Sequence, residues 1–328
     1  MCQHRRVQQL PRRVTVPLGV LAGGTALGAA CLGWAAGYEV NAFRLRRAEV
    51  PVLPPGQRPL RVLHLSDLHL TPYQQKKKDW VRALAGLEPD LVVDTGDNLA
   101  HALAVPEVLD ALGPLLELPG AFVMGSNDYY APILKNPVKY LLPRGPVRLG
   151  KRRLPTEDLR EGLLAAGWVD LDNARARVKV DHRELELVGT DDAHIRADRY
   201  DEVSAPADPS ADLSIGVTHA PYRRVLDPMV ADGLALVVAG HTHGGQVCVP
   251  GVGALVTNCD LPRRQAKGLS RWVADGRSAW LHVSAGVGAS PYAPIRFACF
   301  PDATLLTLVA RPADWPPDRW SEGRPALG

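Results

Sequence analysis

Five groups of polar residues stand out in the chain, because their side chains are of the types that bind divalent metal ions. In chain order the groups are Asp67-Leu68-His69, Gly96-Asp97-Asn98, Gly125-Ser126-Asn127-Asp128, His219 and Gly240-His241-Thr242-His243-Gly244-Gly245. The glycines within these groups allow the backbone to approach an ion closely. Each group alone is common in proteins, but five of them in order after successive apolar stretches form a far more specific pattern.

The chemistry of these side chains fits a site with two metal ions. Imidazole, carboxylate and amide donors without a thiolate suit manganese, iron or zinc better than calcium or a structural zinc ion. Two ions about 3.5–4 Å apart need one bridging carboxylate, and they hold both the attacking and the leaving oxygen of a phosphoryl displacement. We leave His64 and His101 out of the predicted site, and we interpret His64 as a core histidine because it lies inside an apolar stretch.

The stretches between these groups predict the elements that position them. Short apolar runs at 61–66, 90–94 and 121–124 indicate buried strands, and 75–87 and 105–116 have the apolar spacing of helices. Further strands are predicted at 175–180, 184–188, 213–218, 234–238, 280–283 and 304–309, with a helix capped by Thr156 and a proline-rich basic insertion at 131–155. This alternation predicts an α/β fold with the polar groups at the carboxyl ends of its strands.

The polar groups resemble, in their order, the signature of the calcineurin-like metallophosphoesterases. The resemblance covers roughly residues 61–309. The runs Leu-Ser-Asp-Leu-His and Gly-His-Thr-His-Gly-Gly-Gln are also similar to a membrane-associated bacterial branch, which includes cell-envelope phosphodiesterases and UDP-diacylglucosamine pyrophosphatases. The resemblance implies a four-layer αββα sandwich of two mixed β-sheets flanked by helices.

The resemblance also implies how the side chains are shared between two divalent ions. Its ligand set is Asp67, His69 and His243 at the first ion, His219 and His241 with an asparagine at the second ion, and Asp97 bridging both. A hydroxide between the ions would attack phosphorus in line with the leaving oxygen. We therefore predict Asp97, Asn127 and His219 as catalytic residues that also bind metal.

The third polar group departs from the family pattern. The family usually has Gly-Asn-His followed by Asp or Glu, in which the asparagine binds metal and the histidine protonates the leaving group. This chain has Gly125-Ser126-Asn127-Asp128, and alignment on the glycine places Ser126 in the ligand position. An amide oxygen is the better hard donor, so we predict that Asn127 is the ligand. The usual histidine acid is absent in either case, which favours leaving groups that need little protonation, such as a phosphate released from a pyrophosphate bond.

The same departure leaves a second interpretation open. A tethered protein could keep its metal ions, lose useful catalysis and serve as a binding or structural module. For an enzyme, the predicted partner is a phosphoester substrate, lipid- or nucleotide-linked. The net charge of +3 over 328 residues does not indicate a nucleic-acid partner. The five cysteines lack the spacing of a thiolate zinc site or a disulfide scaffold.

The N-terminal region predicts attachment to a membrane. Residues 14–38 carry no charge and are numerous enough to cross a bilayer. A cleaved signal peptide is the alternative, but Ala35-Ala36-Gly37 matches a cleavage site only loosely. We predict a single-pass transmembrane anchor at 14–38, preceded by a basic segment at 1–13 and followed by a linker at 39–59, a catalytic domain at 60–310 and a flexible tail at 311–328. The arginines before the span favour an extracytoplasmic catalytic domain.

Overall fold

The computed structural model describes residues 18–134 and 149–312, with side chains described from residue 25 onward. Two six-stranded sheets form its centre. The first contains β1 (Arg44–Leu53), β2 (Leu60–Leu65), β3 (Leu91–Asp94), β4 (Gly120–Phe122), β5 (Val169–Asp170) and β14 (Asp302–Ala310), in the order β1-β14-β2-β3-β4-β5. The second contains β6 (Arg175–Val180), β7 (Arg183–Thr190), β8 (Leu213–Thr218), β9 (Leu236–Ala239), β12 (Gly268–Ala274) and β13 (Arg277–Val283), in the order β12-β13-β9-β8-β7-β6. A hairpin of β10 (Cys248–Val249) and β11 (Gly253–Ala254) forms a separate small sheet.

Both sheets are mixed. In the first sheet β2, β3, β4 and β5 run parallel, and β14 runs antiparallel to β2. In the second sheet β7, β8, β9 and β13 run parallel, while β6 and β12 are antiparallel to their neighbours. The carboxyl ends of the parallel strands within each sheet therefore meet at one edge, where an α/β sheet places its ligands.

The described residues form seven α-helices, most of which cover the outer faces of the two sheets. They are α1 (Leu18–Gly33), α2 (Gln75–Ala83), α3 (Val105–Leu112), α4 (Ser126–Tyr129), α5 (Thr156–Ala165), α6 (Tyr200–Val203) and α7 (Arg223–Ala231). One buried apolar cluster packs α3 and α5 on the first sheet through Leu112 and Leu159. A second lies between the sheets around Val93 and Val217, and a third packs α7 on the second sheet through Met229. The predicted arrangement of two mixed sheets flanked by helices is confirmed.

The predicted site strands are present, with some shifts at their ends. The predicted hairpin at 175–180 and 184–188 is the β6–β7 pair. The helices predicted at 75–87 and 105–116 both end in 3₁₀ turns, at Leu84–Leu87 and Gly113–Glu117. Thr156 was predicted to cap α5 but is its first residue, because its hydroxyl instead donates to the Asp128 carbonyl at 2.7 Å. Strand β12 was not predicted.

Residues 18–41, the described part of the N-terminal segment, do not show the predicted transmembrane helix. Helix α1 has 16 residues and continues into a π-helical turn, Trp34–Tyr38, and a 3₁₀ turn, Glu39–Asn41. Within residues 18–134 and 149–312, no helix is both long enough and apolar enough to cross a bilayer. Residues 14–17 of the predicted span, the basic segment at 1–13 and residues 313–328 of the predicted tail lie outside the described residues.

The linker predicted at 39–59 was wrong over part of its length. Residues 44–53 form β1, which pairs in parallel with β14 at the edge of the first sheet. Just before it, the buried Glu39 side chain accepts hydrogen bonds from the Trp34 indole and from the Cys299 backbone. This segment therefore packs as part of the domain, and the domain begins before residue 60.

A candidate metal centre

The polar groups predicted from the sequence converge at the carboxyl edge of the two sheets. Asp67 and His69 follow β2, Asp97 follows β3, and Asn127 lies in α4 directly after β4. The remaining ones come from the second sheet: His219 follows β8, and both His241 and His243 follow β9. Most of these side chains are buried, and contacts link each of them to at least one other.

A first cluster is formed by Asp67, His69 and His243, whose ligand atoms all lie within 4.8 Å of one another. His243 Nε2 lies 3.6 Å from Asp67 Oδ1 and 3.3 Å from His69 Nε2. Burial lowers the pKa of His69 and of His243 to about 3, so both imidazoles are neutral at pH 7. Neutral imidazole is the form that binds a metal ion.

A second cluster is formed by Asp67, Asp97 and His219, again within 4.8 Å of one another. His219 Nε2 lies 3.6 Å from Asp97 Oδ1, and the His241 ring centroid lies 5.2 Å from that of His219. His219 Nδ1 donates to the Thr95 carbonyl at 2.6 Å, which fixes the tautomer and leaves Nε2 facing the carboxylate.

Asp97 belongs to the second cluster and also reaches the first. Its Oδ2 is 3.6 Å from His69 Nε2 in the first cluster, and its Oδ1 is 3.6 Å from His219 Nε2 in the second. Burial would raise the pKa of Asp97, but His219 and His69 outweigh it and hold the carboxyl ionised. One carboxylate with an oxygen directed to each cluster is the arrangement that a bridging ligand needs.

Three buried atoms in these clusters have no hydrogen-bond partner among the described residues, namely Asp67 Oδ1, His69 Nδ1 and His219 Nε2. A buried polar atom without a partner costs about 1–3 kcal/mol, so such atoms call for a ligand. Burial lowers the pKa of His219, yet the surrounding carboxylates Asp97, Asp192 and Asp67 raise it to about 10. The position therefore favours positive charge, and its nitrogen and oxygen donors fit divalent cations.

The backbone at the predicted ligands is strained. Five of the seven have φ in the left-handed region: Asp67 at 52°, His69 at 42°, Asp97 at 58°, His241 at 67° and His243 at 49°. Such conformations cost of order 1 kcal/mol each and persist where the surrounding structure imposes them, typically at functional sites.

Two glycines leave room for these ligands. A Cβ on Gly125 would lie 2.3 Å from Asp97 Oδ1, and a Cβ on Gly240 would lie 1.9 Å from Ser66 Oγ. Ser66 in turn donates to Asp67 Oδ2 at 2.6 Å. Any larger residue at either glycine would displace a carboxylate of the site.

The loop after β4 places Asn127 against the central carboxylate. Its backbone N–H donates to Asp97 Oδ1 at 2.7 Å, and its side-chain Nδ2 donates to Asp97 Oδ2 at 2.6 Å. Ser126 makes no such contact, although it lines the same cavity. The ligand role of Asn127 stays a prediction, but its position beside Asp97 agrees with it.

Asp128 has a structural role that the sequence did not reveal. Its fully buried carboxylate accepts four backbone N–H groups, from Asp97, Asn98, Leu99 and Gly125, at 2.8–3.0 Å. Burial and the charge of Asp97 raise the pKa of Asp128, while the backbone hydrogen bonds from Gly125 and Leu99 act in the opposite direction. All four partners are donors, so the arrangement suits the ionised carboxylate. Asp128 thereby ties the loop after β3 to the loop after β4.

His194 was also not predicted as a site residue. It follows β7, and its ring centroid lies 4.4 Å from that of His241. Its Nδ1 lies 3.0 Å from the Tyr222 hydroxyl, and its backbone N–H donates to Asp192 Oδ1 at 2.7 Å. The available signal was its place just after a strand whose carboxyl end lies at the same edge as β8 and β9.

His64 lies outside the site, as predicted. It is fully buried, with Nδ1 2.8 Å from His282 Nδ1 and Nε2 3.0 Å from Thr95 Oγ1. Its ring therefore belongs to the core between the two sheets.

The clusters open into a cavity of about 400 Å³. Its inner end is lined by His69, Asp97, Asn127, His194, His241 and His243. Residues 131–134 and 149–150 line part of its outer wall, so the described ends of the predicted 131–155 insertion do lie beside the site. Arg144 and Arg148 of that insertion lie outside the described residues.

Comparison with curated proteins gives relatives of this chain. It is 27% identical over 277 residues to the phosphodiesterase YaeI of Escherichia coli, covering 83% of this chain and 90% of that protein. It is 29% identical over 216 residues to a bovine protein described as a transmembrane protein with metallophosphoesterase domain, covering 64% of this chain and 46% of that protein. The chain thus spans just under half the length of the bovine relative.

Among solved structures, a 5′-nucleotidase precursor from Thermus thermophilus matches 76% of this chain and 55% of its own, at 12% identity and a TM-score of 0.41. A dimetal phosphatase from Danio rerio matches 74% of this chain and 90% of its own, at 11% identity and a TM-score of 0.38. The family model of the calcineurin-like phosphoesterases matches residues 60–245, more than half of the chain. The chain therefore belongs to the calcineurin-like phosphoesterase family.

Proposed function

We propose that this chain is a membrane-tethered phosphoesterase that uses two divalent metal ions to hydrolyse a phosphodiester or pyrophosphate bond. The observation that carries the proposal is the position of Asp97, with one carboxylate oxygen 3.6 Å from His69 Nε2 and the other 3.6 Å from His219 Nε2. If the Asp97 carboxylate had only a structural role, it would not need a histidine beside each of its two oxygens. Family membership and the name of the E. coli phosphodiesterase support the reaction class.

Each ion would be held by residues of one cluster. Asp67, His69 and His243 would hold the first ion, His219 and His241 with Asn127 the second, and Asp97 both. The ions would supply an activated water at neutral pH and neutralise charge on the transferring phosphoryl group. Mixed nitrogen and oxygen donors favour manganese, iron or zinc as the native ions.

The protein side chains would then keep these ligands in their binding geometry. Thr95 holds His219 in the tautomer with Nε2 facing Asp97, and Asp128 fixes the two loops that carry Asp97 and Asn127. No histidine stands in the loop after β4 to protonate a leaving group. Substrates whose leaving group needs little protonation, such as a pyrophosphate with a lipid or nucleotide substituent, are therefore favoured.

Tethering to a membrane is supported by the uncharged stretch at 14–38 and by the description of the bovine relative as a transmembrane protein. A span of 14–38 would place the site close to the bilayer, because Glu39 joins the end of this segment to the Cys299 backbone within the domain. We place the catalytic domain on the extracytoplasmic side.

Turnover of bis(p-nitrophenyl) phosphate tests the proposal. The chelated protein should be inactive and regain activity with manganese, iron or zinc, and Asp97→Asn should lose both turnover and bound metal. Asp232→Asn is the matched control, since Asp232 accepts three hydrogen bonds from Tyr200, Ser204 and Ala205 away from the cavity. Tight binding of two ions without turnover of any phosphoester would instead support the binding-module interpretation.

A further inference from the structure

The residues that line the cavity form two groups, a more buried polar group at what we call the inner end and a more exposed apolar group at what we call the outer end. The inner end carries the metal-binding side chains, whereas the outer end is built mainly from apolar groups. These outer residues are Tyr130, Ala131, Pro132, Ile133, Leu134, Leu149, Tyr292, Ala293, Pro294 and Ile295. Several of them remain open to solvent, since Leu134 is 77% exposed, Tyr292 53% and Leu149 37%. Large apolar side chains held open beside a polar centre are typical of a surface that binds an apolar ligand.

The charges around the cavity point in the same direction. Among the described residues that line it, none is a lysine or an arginine. Recognition of further phosphate groups normally uses such cations, which form charge-assisted hydrogen bonds to phosphate oxygens. Arg153 lies close by, but its guanidinium stacks on the ring of Tyr130, 4.3 Å from the ring centroid. Among the described lining residues, a charged phosphoryl group would therefore be bound only at the inner end, by the metal ions.

We infer that this site takes a phosphoester with a single phosphate at the metal end and an apolar alkyl chain along the outer wall. This inference rests on the proposed phosphoesterase function and narrows its substrate class from a phosphodiester or pyrophosphate bond to a phosphodiester. A second phosphate would meet no lysine or arginine among the described lining residues, and a nucleotide substituent would place a polar sugar and base against Ile133 and Ile295. The chain is the substituent that stays on phosphorus, because an alkoxide leaving group would need the proton donor that the loop after β4 lacks.

A series of p-nitrophenyl alkyl phosphates, from methyl to hexyl, separates chain recognition from chemistry. In each hydrolysis, water provides the oxygen that bonds to phosphorus and the P–O bond to the aryl group breaks. Nitrophenolate leaves with the electron pair, and the proton from water goes to solvent. The leaving group is constant, so any change in kcat/KM reports binding of the chain. Full burial of one methylene group would raise kcat/KM about fourfold, and burial against a half-exposed wall should raise kcat/KM roughly twofold for each methylene group.

Variants of the wall test its role directly. Ile295 is half-buried on the outer wall, and Ile295→Asn should flatten the rise of kcat/KM with chain length, whereas Ile295→Leu should retain it. The matched control is Leu164→Asn, since Leu164 is a 46% exposed leucine on α5 that does not line the cavity. This control should follow the parent protein at every chain length.

The p-nitrophenyl ester of thymidine 5′-phosphate provides the comparison with a nucleotide, and it should be hydrolysed less efficiently than the hexyl ester. A flat dependence on chain length, or a preference for the thymidine ester, would overturn the inference while leaving the proposed function intact. Absence of turnover with every ester would count against the proposed function. Calorimetric binding of methyl to hexyl phosphate to the metal-loaded protein would then decide the inference: affinity rising with chain length supports it, and constant affinity overturns it.

Discussion

Replacing Asp128 with asparagine should loosen the metal centre without touching any predicted ligand. The carboxylate accepts Asp97 N and Gly125 N on one oxygen and Asn98 N and Leu99 N on the other. An asparagine keeps one oxygen, and its amide group would face the other two N–H donors. Two donors therefore lose their acceptor in a fully buried position.

The size of the effect follows from these contacts. A hydrogen bond to a charged acceptor contributes about 1.5–3 kcal/mol, so two of them amount to about 3–6 kcal/mol before the relief of removing a buried charge. For a domain of this size, a loss of about 3 kcal/mol lowers the melting temperature by roughly 6–12 °C. Because the two loops carry Asp97 and Asn127, metal affinity should fall by about 10–100-fold, as it does when outer partners of metal ligands are changed.

The assay compares manganese binding by calorimetry and the metal-dependent rise in melting temperature for the parent protein, Asp128→Asn and Asp232→Asn. The control should lose stability and keep its affinity for manganese, since Asp232 lies away from the cavity. Asp128→Asn should lose both. Circular dichroism establishes that the variant is folded, and a folded Asp128→Asn protein with parental manganese affinity would refute the positioning role.

Three further outcomes are expected. The double replacement Ser126→Asn with Asn127→His should restore an acid, so that a plot of log rate against leaving-group pKa flattens for aryl phosphodiesters; an equal gain on all substrates would contradict this. His194 lines the cavity, and we expect it to contact the substrate. His194→Ala should therefore raise KM for bis(p-nitrophenyl) phosphate several-fold and leave the amount of bound metal, counted by mass spectrometry, unchanged; loss of metal would contradict this role. A chain that starts at Val50 should melt at a lower temperature than one that starts before Glu39, because it lacks most of β1 and the Glu39 contacts; equal melting temperatures would show that this segment does not stabilise the domain.

The polar groups of the candidate site were predictable because each follows an apolar strand, a pattern visible in a single sequence. Positions such as Asp128 and His194 were not, since their roles depend on which loops the sheets bring together. Strand β1 was missed for a local reason. It is an edge strand whose first half is largely exposed, and Arg44, Arg46 and Arg47 make this half polar. Pro51 also argues against a strand in the sequence, although proline is tolerated in an edge strand.

The alternation of apolar and charged residues at 175–180 and 184–188 made the β6–β7 hairpin predictable, and the structure contains it. The four-layer architecture itself followed from family resemblance, since short buried strands do not reveal which sheet they join. The strained backbone at Asp67, His69 and Asp97 has no signature in residue type, because left-handed φ values are normally associated with glycine.

The central claim is that two ions share the carboxylate of Asp97. Anomalous X-ray diffraction from crystals of the protein grown with manganese tests it most directly. We expect two manganese peaks about 3.5–4 Å apart, both in contact with Asp97. One of them should also be bound by Asp67, His69 and His243, and the other by His219 and His241. A single peak, or two peaks of which only one contacts Asp97, would contradict it.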